Sequence, residues 1–118
     1  METINAISLR AAAAITATDT GAAVKLPFMT GNGYVLLNSS AATGADNVSA
    51  VKLQHSDDGA TNWTDTGVAF ANVTNSGASF QALYVSLDQF KRYVRAVNTL
   101  TGTTPGVTYS VSMLGKPH

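Results

Sequence analysis

The chain has 118 residues, the size of one domain, and no cysteine, which excludes disulfides, thiolate metal centres and cysteine nucleophiles. Seven basic residues balance seven acidic ones, and only 12% of residues are charged, against about 25% in an ordinary domain. Bulk charge therefore steers the chain toward neither nucleic acid nor an anionic membrane, and the surface must be built of Ser, Thr, Asn, Gln, Gly and Ala.

Residues 1–20 read as an N-terminal arm, and residues 21–118 as a single β-sandwich domain. The start, Met1-Glu2-Thr3-Ile4-Asn5, lacks the basic region and apolar stretch of a secretory signal. No segment reaches the ~18 apolar residues of a membrane span. Within the arm, Ile4, Ile7, Leu9 and Ile15 surround the run Ala11 to Ala14. The alanines favour a helical turn and the flanking Thr and Ile an extended chain; periodicity leaves both open.

From Gly21 onward, strands alternate with turns. Val24, Leu26 and Phe28 predict a half-buried strand, which Pro27 places at an edge or an end. Gly31-Asn32-Gly33 is a turn signal. Tyr34-Val35-Leu36-Leu37 suits a strand buried on both faces, and residues 39–47 a loop of small side chains. Val51 and Leu53 alternate with Lys52 and Gln54, and Ser56-Asp57-Asp58-Gly59 forms a turn. A strand holds Trp63, Val68 and Phe70, and a turn follows at Asn75-Ser76-Gly77. Gln81, Leu83, Val85 and Leu87 then alternate with Phe80, Ala82, Tyr84 and Ser86. Residues 87–91 fit one helical turn with Asp88 as its cap. Tyr93 to Thr99 is a strand, broken by residues 101–106. In the last strand Val107, Tyr109, Val111 and Met113 face one way, and Thr108, Ser110 and Ser112 the other. Seven strands, eight with the arm, predict an all-β chain. The expected form is an antiparallel β-sandwich, jelly-roll-like, with an extended N-terminal arm.

Catalytic chemistry finds little support. His55 beside Asp57 and Asp58 could hold a metal, but Asp-Asp-Gly after a strand is better read as a turn. Gly-x-Ser-x-Gly is absent, Glu2 is the only glutamate, and Gly31-Asn32-Gly33-Tyr34 lacks the lysine of a phosphate loop. No catalytic residue, metal or cofactor is expected. Lys91 and Arg95, two of the three cations in the densest basic cluster, would share one strand face and fit acidic groups on a partner protein. Trp63 and Tyr34 could form a sugar platform, although a lone Trp in an all-β chain is more often core or interface.

The run Val51 to Asp65, with its Leu53-Gln54-His55-Ser56-Asp57-Asp58-Gly59 strand and turn leading to Trp63, resembles small head proteins of tailed bacteriophages. The likeness continues at Leu87 to Val97, resumes at Gly102-Thr103-Thr104-Pro105, and runs through the closing strand to Gly115. It implies a capsid decoration, or cement, protein. Such a protein binds the exterior of the virion's capsid and stabilises it by bridging neighbouring capsomers. The major capsid protein is then the partner, and a homo-oligomer (trimer or dimer) is expected. The protein would be made in the host bacterial cytoplasm, without nucleic acid or membrane partners. The expected interface residues are Ile4, Ile7, Leu9 and Ile15 in the arm, with Lys91 and Arg95 on the body. The alternative is a carbohydrate- or receptor-binding β-sandwich module of a phage tail or baseplate.

Overall fold

Period-two alternation sorts the long strands into a buried and an outward face, and the two buried faces meet in one core. The computed structural model describes residues 5–26 and 29–117; Ile4, Pro27, Phe28 and His118 lie outside the described residues. The strands are β1 (Asn5–Ile15), β2 (Asp19–Thr20), β3 (Val24–Lys25), β4 (Met29–Ser39), β5 (Thr43–Ser56), β6 (Thr64–Ala69), β7 (Val73–Thr74), β8 (Ser79–Ser86) and β9 (Tyr93–Pro117). All their pairings are antiparallel.

Two sheets share β9. In the first, residues 107–117 of β9 lie between β1 and β4, and β8 pairs with the far side of β4. In the second, residues 93–106 lie between β5 on one side and β2 and β3 on the other, and β6 and β7 pair with β5. The expected antiparallel sandwich is thus what forms, and it is compatible with a jelly-roll type. Val35, Leu37, Tyr109, Val111 and Met113 from the first sheet meet Val51, Leu53, Val94, Ala96 and Leu100 from the second.

Several sequence expectations are corrected. Residues 101–106 do not end a strand; β9 runs through them and changes sheets, as strands do at the corners of such packings. Gly102 makes that corner possible. Its φ is 118°, and a Cβ there would lie 2.8 Å from Asn47 Cα. Gly31-Asn32-Gly33 is a bulge inside β4 rather than a turn: the five residues from Thr30 to Tyr34 span three from Lys116 to Leu114. Gly31 sits at φ 75°, and a side chain at Gly33 would collide with the Leu114 carbonyl. β4 is buried on one face only, through Val35 and Leu37, while Tyr34 stays exposed. The expected loop over 39–47 shrinks because β5 already begins at Thr43. The helical turn is 3-10, over Leu87–Gln89; its N-cap is Ser86, without a side-chain cap bond, not Asp88.

Residues 5–15 are not a detached arm within this chain. They form β1, the edge strand of the first sheet, in register with β9 from Asn5↔Gly115 to Ile15↔Val107. Leu9 is a core residue at 3% exposure, and Ile7 and Ile15 pack against the core. Parity explains this: the odd-numbered apolar residues of the strand point inward, so their own sheet consumes them.

A polar clip closes the sandwich beside β1. Arg10 Nε donates to Asp19 Oδ2 at 2.8 Å, and the Tyr109 hydroxyl donates to the same oxygen at 2.6 Å. The hydrogen bond from Arg10 holds the Asp19 carboxyl below its ordinary range, burial opposes it, and the Tyr109 hydroxyl adds to the lowering. Because the folded pKa is depressed, the clip's contribution is complete above an unfolded value of about 3.9 and is lost as pH falls through the folded value. Asp19→Asn is therefore expected to lower the melting temperature most at neutral pH. The gap to wild type should close as pH falls through the folded value, which thermal melts across pH will check.

Candidate functional site

The outward faces of the two sheets differ in chemistry. On the second sheet the face is charged and internally satisfied. The Arg95 guanidinium lies over the Trp63 ring at 4.2 Å and donates from Nε and Nη2 to Gln54 Oε1 at 3.0 and 2.8 Å. Gln54 Nε2 donates to Asp65 at 3.1 Å, and Lys52 pairs with the same carboxylate at 3.0 Å. One face of the Trp63 ring is therefore covered by a cation, which removes that face as a sugar platform.

Lys91 lies just before β9, between the 3-10 turn and Tyr93, so it does not continue the Arg95 strand face. Its ammonium stands 3.7 Å from the Asp57 carboxylate, and its backbone N–H donates to His55 Nδ1 at 3.2 Å. His55 also meets the Phe90 ring edge-on, and burial lowers its pKa, with Lys91 adding to the effect and Asp57 opposing it. Asp58 is occupied by its turn: it accepts from the backbone N–H groups of Ala60 and Thr61 and from the hydroxyls of Thr61 and Ser56. These bonds hold its carboxyl well below the usual carboxylate range. The sequence places His55 and Asp58 together, but the fold engages them separately, His55 with the Lys91 N–H and Asp58 with its own turn.

The first sheet presents the opposite picture. Register aligns its outward residues into rows across the four strands. One row runs Ala6, Leu114, Tyr34, Tyr84; the next runs Ser8, Ser112, Leu36, Ala82; a third joins Ser110, Asn38 and Phe80. Among the described side chains, none on this face carries a formal charge. Tyr34, Phe80 and Tyr84 are 46, 67 and 65% exposed, and the rings of Tyr34 and Tyr84 touch at a centroid distance of 5.1 Å. Strand and residue spacings make the face about 450 Å², comparable with the largest patches on ordinary monomers, which are often functional. Leaving such a patch in water is unfavourable at roughly 25 cal/mol per Å² of its apolar part, and docking removes that cost.

The chain has the fold of part of a virus structure. The structure of infectious bursal disease virus Gt strain matches 98% of this chain with a TM-score of 0.61 at 8% identity. The structure of infectious bursal disease virus Gx strain matches the same share with a TM-score of 0.53 at 11% identity. The chain covers 32% of each of those chains, so it spans about a third of the length of the solved chains it matches. At these identities the likeness is one of fold. No family model and no curated protein sequence matches.

A groove of about 440 Å³ opens between β6 and β8, lined by Thr66, Val68, Leu83, Tyr84, Val85 and Gln89 among others. Its lining carries the hydroxyls of Thr66, Tyr84 and Ser86 and no His, Asp, Glu or Lys. The sequence reading singled out Tyr34 on this side of the molecule but not Leu36, Phe80, Tyr84 or Leu114. The signal for Phe80 and Tyr84 was present, because the β8 run is apolar at both parities and only one parity can face a core.

Proposed function

We propose that this chain is a virion structural protein that binds the outer surface of a tailed-phage capsid and stabilises it by bridging neighbouring capsomers. The observation that carries this reading is the aromatic outer face of the first sheet, uncharged among the described side chains, set against a second sheet whose Lys52, Asp65 and Arg95 are engaged with one another or with Gln54. The resemblance of Val51 to Asp65 and Leu87 to Val97 to phage head proteins supports it, as does a fold found in a virus structure. The major capsid protein is the partner and the capsid exterior the location, after synthesis in the host cytoplasm. The role requires no enzymatic activity, cofactor, nucleic acid or membrane. Lys91, at the end of the sandwich, is a rim contact; Arg95 acts mainly to hold Trp63.

Co-sedimentation with mature, expanded heads and with immature heads tests the proposal. Saturable binding to mature heads at a fixed number of copies per capsomer is expected. Absence of binding to both would contradict it.

The exposure of Tyr34, Phe80 and Tyr84 also favours a second reading, a carbohydrate-binding module of a tail or baseplate. Its weakness is geometric: the Tyr34 and Tyr84 rings are inclined at 58° and do not form one stacking plane. A glycan array showing specific binding lost in Tyr84→Ala would support that reading over the first.

A further inference from the structure

The four edges of the sandwich are not equally guarded. An open edge is a template for pairing, and proteins ordinarily blunt it with bulges, charges or short strands. β1 carries two bulges, between Ser8 and Arg10 and between Arg10 and Ala13. β6 is interrupted where the five residues from Asp65 to Ala69 span three of β5, with Gly67 at φ 89° and the Asp65 charge close by. β2 and β3 are two residues each. β8 has none of these devices. Its eight residues, Ser79–Ser86, run in unbroken register against β4 and contain no charge and no proline. Among the described residues, no hydrogen bond from a loop or a side chain reaches the β8 backbone, and an open groove lies between its residues 83–86 and β6. Only the Gln81 side chain crosses, to the backbone of Ala71.

We propose that β8 pairs antiparallel with β8 of a second copy across a two-fold axis at Ala82, joining the first sheets of two chains into one continuous sheet. Three observations choose a second copy as the occupant. Centred on Ala82, the pairing sets Phe80 opposite Tyr84 of the other copy, so exposed aromatics meet twice by symmetry. Neither strand brings a charge, so the like-charge clash that opposes most self-pairing is absent. Finally, one face of about 450 Å² falls short of the ~800 Å² per side of a standard interface, whereas two faces made continuous reach it. The need for two faces rests on the proposed docking role, but the dimer itself is tested on the purified chain alone, so its failure and the failure of the docking reading are distinguishable.

Sedimentation equilibrium of the purified protein over about 1–100 μM tests the proposal in the range expected of a small edge interface. A concentration-dependent dimer is expected. Ala82→Lys, which sets two ammonium groups directly opposite in the dimer and leaves them exposed in the monomer, is expected to weaken dimerisation at least about tenfold with an unchanged circular dichroism spectrum. Because the chain has no cysteine, Ala82→Cys supplies a second readout. It is expected to oxidise to a disulfide-linked dimer far faster than Ala14→Cys, placed on the opposite edge strand. A monomer throughout the range would overturn the proposal. So would a dimer indifferent to Ala82→Lys, or equal cross-linking from both cysteine positions.

Discussion

Tyr34→Lys combined with Leu36→Lys is expected to lower the affinity for mature heads at least about 100-fold while leaving the sandwich folded. Both residues lie on β4 and face outward from the middle of the first sheet, away from the β8 edge. In the free protein each ammonium reaches water along its flexible stem, and the chief loss is the Tyr34–Tyr84 contact, worth about 1 kcal/mol. In the docked state two charges would be taken out of water against an uncharged face. Each then costs several kcal/mol, and about 3 kcal/mol already gives a 100-fold change. Salt dependence offers a matching readout. Docking through this face should change little between about 0.05 and 0.5 M salt, whereas docking through Lys91 and Arg95 would weaken steeply. A titration of head binding with the double variant and with Lys91→Glu/Arg95→Glu separates the two surfaces.

The second large effect is expected at the corner of β9. Gly102→Val should destabilise the fold by more than about 4 kcal/mol, enough to lower the melting temperature by roughly 15 °C or more. Two costs combine. A φ of 118° is outside the range that a β-branched residue adopts, and the new side chain would fall on the side chain and backbone of Asn47. Asn47 is 1% exposed in β5 and has no room to retreat. Since residues 93–106 of β9 serve one sheet and residues 107–117 the other, displacing the corner misaligns both. Differential scanning calorimetry checks the magnitude. Gly77→Val, at a turn where nothing lies within 4 Å of the added carbon, is the comparison and should change stability little.

Local period-two patterns made much of the sandwich legible in advance. Val51 and Leu53, the 81–87 alternation and the residues 107–113 all face as their spacing dictates, because in a half-buried strand parity alone assigns the face. Glycine was the ambiguous signal. At Gly59 it marks a turn, but at Gly31 and Gly33 it marks a bulge within a strand, and at Gly102 a strand crossing between sheets. All three uses need the same backbone freedom, so composition does not tell them apart.

The place of β1 was beyond reach for a different reason. Ile7, Leu9 and Ile15 were read as interface contacts from their apolar character alone, but whether they bury in their own chain or a neighbour's is decided by pairing with β9, about a hundred positions away. The outward face was only half visible. Phe80, Ala82 and Tyr84 could be assigned to one side of β8, yet its uncharged character emerges only when register sets them beside Tyr34, Leu36, Ser112 and Leu114.

The most direct test of the proposed role is an electron cryomicroscopy reconstruction of mature heads incubated with the purified protein. The expected map shows sandwiches on the outer surface at full, regular occupancy, with the Tyr34, Leu36 and Tyr84 face against the shell and the Trp63–Arg95 face toward solvent. A bare shell, or sandwiches seated by the charged face, would contradict it.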